Sequence, residues 1–236
     1  MPMPEDRLDH LKRFYSALDS LTEKLGGPQL LENCNGRMDW PQRGVYFFLE
    51  NNEIRKHSGT GLRIVRVGTH ALKSGSRTTL WHRLSQHRGT MNNGAGNHRG
   101  SIFRLHVGGA LLTRDSKIEC TSWGVGHTAQ PDTRPRETYL EKLVSQVIRQ
   151  MPFVWVGIDD PAGPESKRGY LERNAIALLS NYRKPPLDLT SEQWLGRACP
   201  SERVRSSGLW NSNHVDEAYD PLFLDDFERA VAQGVR

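Results

Sequence analysis

The sequence predicts a single α/β domain (of the α+β type) in which a small central, mostly antiparallel sheet is flanked by helices. Three observations support this fold class. Short runs of β-branched and aromatic residues alternate with longer segments whose apolar residues recur at helical spacing. The chain has 236 residues, enough for one sizeable core but few for two domains. The sequence also contains no internal repeat and no low-complexity tract.

The first part of the chain predicts a helix followed by a β-hairpin. Residues 8–25 carry apolar side chains at helical spacing, and Gly26-Gly27-Pro28 ends the pattern. We interpret this segment as an amphipathic helix packed on the core. Residues 43–50 and 63–68 are rich in β-branched and aromatic side chains, and a polar loop separates them. They are therefore expected to pair as neighbouring strands.

The middle of the chain predicts two helices and a strand. Thr78 or Thr79 can cap a helix that runs to about Arg88, because threonine is a favoured N-cap residue. Residues 102–107 alternate apolar and polar side chains, a pattern that we interpret as a strand. Residues 136–150 again show a clear helical period.

The last part of the chain predicts a buried strand and two further helices. Residues 153–158 form a short apolar run, which indicates a strand buried on both faces. Residues 170–182 have a strong helical pattern that Pro185-Pro186 stops. A short helix is expected near residues 222–232.

Composition favours an intracellular protein with a polyanionic partner. The net charge of +5 and the isoelectric point near 9.2 tilt the expectation towards nucleic acid. Cys34, Cys120 and Cys199 lie far apart, without zinc-ligand spacing or a disulfide framework, so a reducing cytoplasm fits best. The charged N-terminus does not resemble a secretory signal, and no apolar run is long enough to span a membrane.

Four residues suited to phosphodiester chemistry occur on the predicted elements. Tyr46 lies on the first strand of the hairpin, and Glu172 lies on the helix after the buried strand. Arg83 and His87 are four residues apart, so they project from one helix face. Phosphodiester hydrolysis needs a base for water, a cation for the anionic centre and a metal. Arginine binds phosphate oxygens, histidine moves protons near neutral pH, and a carboxylate binds Mg²⁺.

The order of these motifs resembles that of the GIY-YIG nuclease superfamily, which is named after short motifs on its first two strands. Gly44-Val45-Tyr46 matches the first motif, and Arg66-Val67-Gly68 occupies the place of the second. The resemblance covers about residues 43–88 and 152–182. It implies an endonuclease that depends on Mg²⁺ (or Mn²⁺) and hydrolyses DNA, with restriction, homing, repair and recombination as the roles known for such domains.

The resemblance also implies a role for each residue. Tyr46 would activate or orient the attacking water, and Arg83 would stabilise the pentavalent phosphate. His87 would assist proton transfer or hold the nucleophile, and Glu172 would ligate the metal. A phenol acts as a base at neutral pH only beside positive charge. Arg66, Arg83 and the metal would supply that charge.

The chain departs from the family pattern at two points. Arg66 stands where the second motif normally has tyrosine, so Arg66, His70 or Lys73 is expected to contact the phosphate instead. The family also carries an asparagine after the glutamate helix. Asn181 lies nearer than the usual distance and Asn211 lies farther. We favour Asn211, because it follows a tryptophan outside regular structure, where its side chain can support the site.

The distance between Arg83 and Glu172 is long for the family and indicates an insertion. We expect this insertion to carry its own helix and to serve as a DNA-facing or oligomerisation element, which makes a homo-oligomer one expectation. No separate targeting domain is recognised beside it, which favours a restriction-like enzyme. The single domain of residues 1–236 then consists of the N-terminal helix 8–25, a core of about 43–182, an insertion of about 113–150 within that core, and a C-terminal extension 187–236.

Two alternatives are weighed at this stage. Each motif residue taken alone is an ordinary core or surface residue, so a catalytically inactive DNA-binding or interaction module is the main rival. Asp132 with Glu165 and Lys167 formally spells a PD-(D/E)xK nuclease pattern, but Glu165 and Lys167 fall in a Pro/Gly loop rather than on a strand.

The charged segments outside the motifs also have two interpretations. The loop with His98, Arg99 and Arg104 is either a phosphate-binding loop or a solvated one. The predicted inserted helix carries several basic residues that either follow a DNA backbone or form part of a mixed-charge surface. These basic residues are Arg134, Arg136, Lys142 and Arg149.

Overall fold

The computed structural model describes the backbone of residues 4–234 and the side chains of residues 6–234. These residues form seven helices, four strands and three short 3-10 turns. The elements are α1 (Pro4–Lys24), β1 (Gln29–Leu30), β2 (Gly44–Ile54), β3 (Leu62–Gly68), α2 (Leu80–Arg88), α3 (Ile102–Arg114), α4 (Thr133–Arg149), β4 (Pro152–Gly157), α5 (Lys167–Leu179), α6 (Glu202–Ser207) and α7 (Phe223–Gln233).

The four strands form one antiparallel sheet in the order β1-β4-β2-β3, which confirms the predicted fold class. β2 lies between its hairpin partner β3 and the buried strand β4. Tyr46 is therefore opposite Gly68 in β3 and opposite Trp155 in β4. Gly44 is opposite Gly157 in β4. A Cβ atom on Gly44 would overlap the carbonyl oxygen of Val156, so this close pairing requires glycine.

The two faces of the sheet bury two different sets of helices. Side chains along a strand alternate between faces. Val45 and Phe47 therefore face a core built with α1, α5 and α7. Tyr46 and Phe48 face the opposite core, built with α2, α3 and α4. Catalytic candidates on β2, α2 and α5 thus belong to different layers, and only the edge of the sheet can bring them together.

That edge is strand β3, which the C-terminal segment covers. The N–H of Trp210 donates to the carbonyl of Val65 at 2.6 Å. The side-chain amide of Asn211 accepts from the N–H of Val67 at 3.1 Å and donates to its carbonyl at 2.9 Å. An edge strand exposes a row of unpaired main-chain groups. Here the main-chain N–H of Trp210 and the side chain of Asn211 bond some of these groups, in place of a fifth strand.

The predicted helices form with small shifts of their ends. α5 begins and ends three residues before the predicted segment, because the Ser166 hydroxyl caps it by accepting from the N–H of Gly169 at 3.2 Å. Thr79 caps α2 as predicted, and the helix ends before Gly89. Among residues 4–234, no helix has both the length and the apolar character that a membrane crossing needs.

The predicted strand at residues 102–107 is wrong, because this segment starts helix α3. The Ser101 hydroxyl caps the helix by accepting from the N–H of Arg104 at 3.2 Å. Phe103, Val107 and Leu111 then fall on one buried face at helical spacing. The apolar pattern of six residues fits both the period of a strand and the period of a helix. The Ser101 cap and the apolar residues that continue beyond residue 107 at helical spacing show that the segment is a helix.

The charged side chains at and just before the start of α3 are paired with carboxylates inside the domain, so this segment is not solvated. Arg104 is fully buried and donates to Glu141 at 3.0 Å, and His98 lies 3.0 Å from the same carboxylate. Arg99 donates to both oxygens of Glu137, at 2.6 and 2.8 Å. Two carboxylates of α4 thus pair with this segment. These buried ion pairs hold α4 against residues 98–104, and a sequence cannot show them because the partners are about 40 positions apart.

Candidate active site

A cavity of about 430 Å³ opens where β3 ends. It lies between α2, α5 and the segment that follows Trp210, so residues from both layers of the fold reach it. Six of the eight residues expected at the site line this cavity. They are Arg66, His70, Lys73, Arg83, Glu172 and Asn211.

Helix α2 directs Arg83 into the cavity. The Thr79 hydroxyl accepts from the N–H of His82 at 3.2 Å and so sets where the first turn begins. One turn later, the guanidinium of Arg83 donates from one nitrogen to Gln86 and to the carbonyl of Gly100, both at 2.9 Å. Its other nitrogens carry the remaining donors of a planar fork that suits phosphate oxygens.

Helix α5 supplies Glu172 from the other side of the sheet. Its carboxylate is half-buried and accepts the N–H of Thr69 at 3.1 Å. The Thr69 hydroxyl in turn donates to the carbonyl of Gly44 at 2.8 Å, which joins the ends of both motif strands. Burial raises the pKa of Glu172, and the charges of Arg66 and His214 oppose that shift.

Tyr46 and His87 form a hydrogen-bonded pair beneath the cavity. The Tyr46 hydroxyl lies 2.7 Å from Nε2 of His87, and Nδ1 of His87 lies 2.8 Å from the Ser101 hydroxyl. Burial lowers the pKa of His87 well below its usual value, and Arg83 adds to the shift, so the ring is neutral. A Cβ atom on Gly68 would overlap the Tyr46 hydroxyl, so the second motif needs its glycine to admit this hydroxyl.

Arg66 connects the buried pair with the cavity. It lies on the same sheet face as Tyr46, is 5% exposed, and donates to the carbonyl of Trp210 at 2.8 Å. Its Nε has no hydrogen-bond partner among the described residues. Burial lowers the pKa of Arg66, while interactions with Tyr46 and Glu172 favour its charged form. This cation, which stands in place of a tyrosine, has donor capacity left for an anionic ligand.

His70 and Lys73 lie on the loop that leaves β3. His70 is buried, and neither ring nitrogen makes a hydrogen bond of ordinary geometry, although the backbone of Gln42 lies nearby. Burial lowers the pKa of His70 to about 4, and the charge of Arg168 adds to the shift. The ring is therefore neutral at physiological pH. Lys73 is exposed at the rim of the cavity.

The structure therefore brings the expected residues together in two groups. Arg83 and Glu172 line the cavity, whereas Tyr46 and His87 are fully buried below it. Asn181 is not among the residues that line this cavity, whereas Asn211 is.

The rival nuclease pattern does not assemble. Asp132 precedes α4 and Glu165 precedes α5, so neither lies on a strand.

Two residues at the site were missed from the sequence. Ser101 holds His87, and its only signal was that of a helix N-cap, which the strand interpretation of residues 102–107 concealed. His214 lines the cavity without any recognisable motif around it.

The lining of the cavity fits a divalent cation of the Mg²⁺ type. Among the described residues that line it, Glu172 is the one carboxylate, and one of its oxygens accepts the Thr69 N–H. The part of the chain that the structure describes contains no group of three or more His, Cys, Asp or Glu side chains placed to hold a metal. Mg²⁺ does not need such a cage, because it keeps several waters and binds one or two carboxylates together with substrate phosphates.

Chemically, the arrangement combines a neutral proton acceptor, two arginines and one carboxylate around a space that can hold a phosphodiester.

A family model described as "GIY-YIG domain" matches residues 5–235 of this chain. Comparisons with curated proteins and with solved structures gave no match.

Proposed function

This chain belongs to the GIY-YIG domain family, a family of the nuclease type, and from that premise we propose that it is a metal-dependent endonuclease that hydrolyses DNA phosphodiester bonds. One observation carries the proposal. The Tyr46–His87 hydrogen bond of 2.7 Å lies directly below a cavity in which Arg83 and Glu172 meet from opposite layers of the fold. These four residues, separated by up to 126 positions, would supply the proton acceptor, the cation and the carboxylate that phosphodiester hydrolysis requires.

The nucleophile side of the reaction is assigned to the buried pair. Neutral His87 accepts the Tyr46 proton at Nε2 if its Nδ1 carries the ring hydrogen and donates it to Ser101. Tyr46 can then orient the attacking water and accept a proton from it. Arg66 beside the hydroxyl favours the negative charge that develops on Tyr46. Ser101 is a positioning residue in this scheme, since it acts through the imidazole.

The phosphate side is assigned to the arginines and to Glu172. Arg83 and Arg66 donate to the non-bridging oxygens and stabilise the charge that accumulates on them in the pentavalent state. Glu172 would hold the cation, Mg²⁺ or Mn²⁺, which supplies charge neutralisation at the phosphate and the leaving oxygen when it is bound. The raised pKa of Glu172 supports this assignment, because a nearby cation would stabilise the ionised form of this half-buried carboxylate.

A plasmid-nicking assay with Mg²⁺ or Mn²⁺ tests the proposal. Wild type should cleave, Glu172→Ala should abolish cleavage while DNA binding is retained, and Arg83→Ala should lower the rate by about 100-fold or more. Glu165→Ala and Arg229→Ala are matched controls, because both side chains are exposed and neither lines the cavity. Metal-dependent cleavage by Glu172→Ala would refute the assignment of this residue.

A DNA-binding module without catalysis is the second candidate. The observation that favours it is the complete burial of Tyr46 and His87, together with Arg66 in place of the second tyrosine. In that case wild type would bind DNA in a salt-dependent way, because the arginines bind phosphate, but would cleave none of several DNA forms.

A restriction-like role is the biological function that we propose for the nuclease. The fragment pattern distinguishes it from other roles. Discrete fragments from plasmids of known sequence would support sequence-specific restriction, whereas cleavage confined to branched or damaged DNA would indicate repair or recombination.

A further inference from the structure

The turn that follows Asn211 places a histidine, His214, at the cavity. Donors from outside the turn bind its carbonyl groups and hold it in one conformation. They are Arg203 to Ser212 at 2.6 Å, Ser180 to Val215 at 2.7 Å and Lys184 to Glu217 at 2.9 Å. The Asn211 amide anchors the beginning of the same turn to β3. His214 is therefore carried by a rigid segment, as a catalytic group must be.

The backbone and the side chain of His214 are both constrained. Its φ of 64° lies in the left-handed region, which non-glycine residues seldom occupy and which tends to be retained at functional sites. Nδ1 lies 2.6 Å from a carboxylate oxygen of Glu217. An ionised carboxylate only accepts hydrogen bonds, so Nδ1 carries a hydrogen and Nε2 is the nitrogen left for a ligand. The side chain is 34% exposed, so a substrate can reach it.

His214 belongs to the metal side of the site. Its positive charge favours the ionised form of Glu172, so the two side chains share one electrostatic environment. The charges of Arg66 and Arg83 act on both Glu172 and His87, whereas the charge of His214 acts on Glu172 and is not among those that act on His87. In an in-line displacement the nucleophile and the leaving oxygen lie on opposite sides of phosphorus. With the nucleophile assigned to Tyr46 and His87, the Glu172 side is the side of the leaving oxygen.

We propose that His214 is a further catalytic residue, the general acid that protonates the leaving oxygen of the phosphodiester. The inference rests on the proposed endonuclease function. Water attacks phosphorus while the bond from phosphorus to the bridging oxygen breaks, and the electron pair of that bond goes to the leaving oxygen. Nε2 of His214 gives its proton to this oxygen, and the proton of the water goes to the Tyr46–His87 pair. The products are a phosphate monoester and a free hydroxyl, and His214 regains a proton from solvent.

Other groups at the cavity fit this role less well. His70 holds no proton to donate near neutral pH, because its pKa is lowered to about 4. His87 is fully buried and already bonded at both ring nitrogens. Lys73 lies on an exposed loop. His214, in contrast, is oriented by Glu217 in the way that a carboxylate orients the histidine of a catalytic triad.

A leaving group that needs no proton tests the proposal. Oligonucleotides would carry sulfur in place of the bridging 3′ oxygen or, in a second substrate, of the 5′ oxygen, since a thiolate leaves without protonation. The main variant is His214→Asn, because asparagine tolerates the left-handed backbone better than other residues do. His10→Asn is the matched control, because His10 also has a hydrogen-bonded ring, to Tyr219 at 2.9 Å, and does not line this cavity.

We expect His214→Asn to cleave the ordinary linkage about 100-fold or more slowly than wild type and to cleave one of the two sulfur linkages at nearly the wild-type rate. Glu217→Ala should show a smaller loss on the ordinary linkage and the same recovery with sulfur, which covers the case in which the asparagine variant does not fold. His10→Asn should match wild type on every substrate.

Two outcomes would overturn the inference while leaving the nuclease intact. They are an equal loss on oxygen and on both sulfur linkages, or no loss on the ordinary linkage. Absence of cleavage by wild type is a different result, because it would overturn the endonuclease function itself and His214 as its acid with it.

Discussion

The Asn211 side chain offers a test that separates support of the site from support of the fold. It accepts from the N–H of Val67 and donates to the carbonyl of the same residue, at 3.1 and 2.9 Å. Asn181 makes an equivalent pair of bonds with Leu187, at 2.9 and 2.8 Å, away from the cavity. The two asparagines that the sequence offered for the same role are therefore each other's control.

Asn211→Ala leaves two buried main-chain groups without partners. Each such loss costs about 1–3 kcal/mol, and the cavity admits water to part of the exposed edge, so we expect about 2–4 kcal/mol in total. For a chain of this length that lowers Tm by roughly 5–15 °C. Asn181→Ala should lower Tm by at least as much, because it removes two main-chain bonds and also the acceptor of a hydrogen bond from Arg7 at 3.0 Å.

The two variants should differ in catalysis. β3 carries Arg66 and Gly68 against the Tyr46 hydroxyl, so a displaced edge strand disturbs the buried pair. At 25 °C, where both variants remain folded, Asn211→Ala should cleave plasmid DNA more than tenfold more slowly, since small displacements of reacting groups have large effects on rate. Asn181→Ala should cleave as wild type does. Equal rates for the two variants, measured beside calorimetric unfolding, would refute the reasoning.

Three further predictions concern single side chains. Ser101→Ala should lower the cleavage rate and change its pH profile, because Nδ1 of His87 loses its acceptor. Ser101→Thr should retain the wild-type rate and pH profile. An unchanged pH profile in the alanine variant would contradict proton transfer through Tyr46 and His87. Glu172→Gln should raise Tm at pH 7 to 8. The pKa of Glu172 is raised in the folded state, so its ionisation destabilises the fold as pH rises from the pKa of the unfolded chain through that of the folded chain. The gain in Tm should therefore vanish near pH 4, where the carboxyl is protonated. A gain in Tm that is the same at all pH values would exclude this cause. Glu141→Ala should destabilise the chain by about 3–5 kcal/mol in urea unfolding, because it leaves the buried charge of Arg104 without its carboxylate, although the bonds of Arg104 to main-chain carbonyls and to Ser145 remain. A loss below about 1 kcal/mol would mean that water replaces the carboxylate.

The segment at residues 102–107 shows how far local pattern can be followed. Its alternation fits a strand over six residues, but Ser101 bonds both the N–H of Arg104 and the ring of His87. The second bond joins residues 14 positions apart and fixes the start of α3 against α2. Neither periodicity nor propensity contains this interaction, so the helix was missed together with the positioning residue that starts it.

The candidate site divides in the same way. Helical spacing predicts that Arg83 and His87 leave α2 on neighbouring turns, and that expectation needs only the geometry of a helix. Which of the two faces the cavity depends on the core below α2, where His87 is fully buried against Tyr46 and Phe103. His214 depends even more on tertiary contacts, because a turn held by side chains from elsewhere brings it to Glu172.

The sequence by itself determined the hairpin, the helices other than α3 and α6, the threonine cap of α2 and the order of the motif residues, because periodicity, capping and turn chemistry act between neighbours along the chain. Only the tertiary structure decided how the edge of β3 is closed, why Gly68 must lack a side chain, how Arg104 is neutralised and which histidines reach the cavity. Those features depend on contacts between residues far apart in sequence, whose burial and charge exist only once both layers have packed on the sheet.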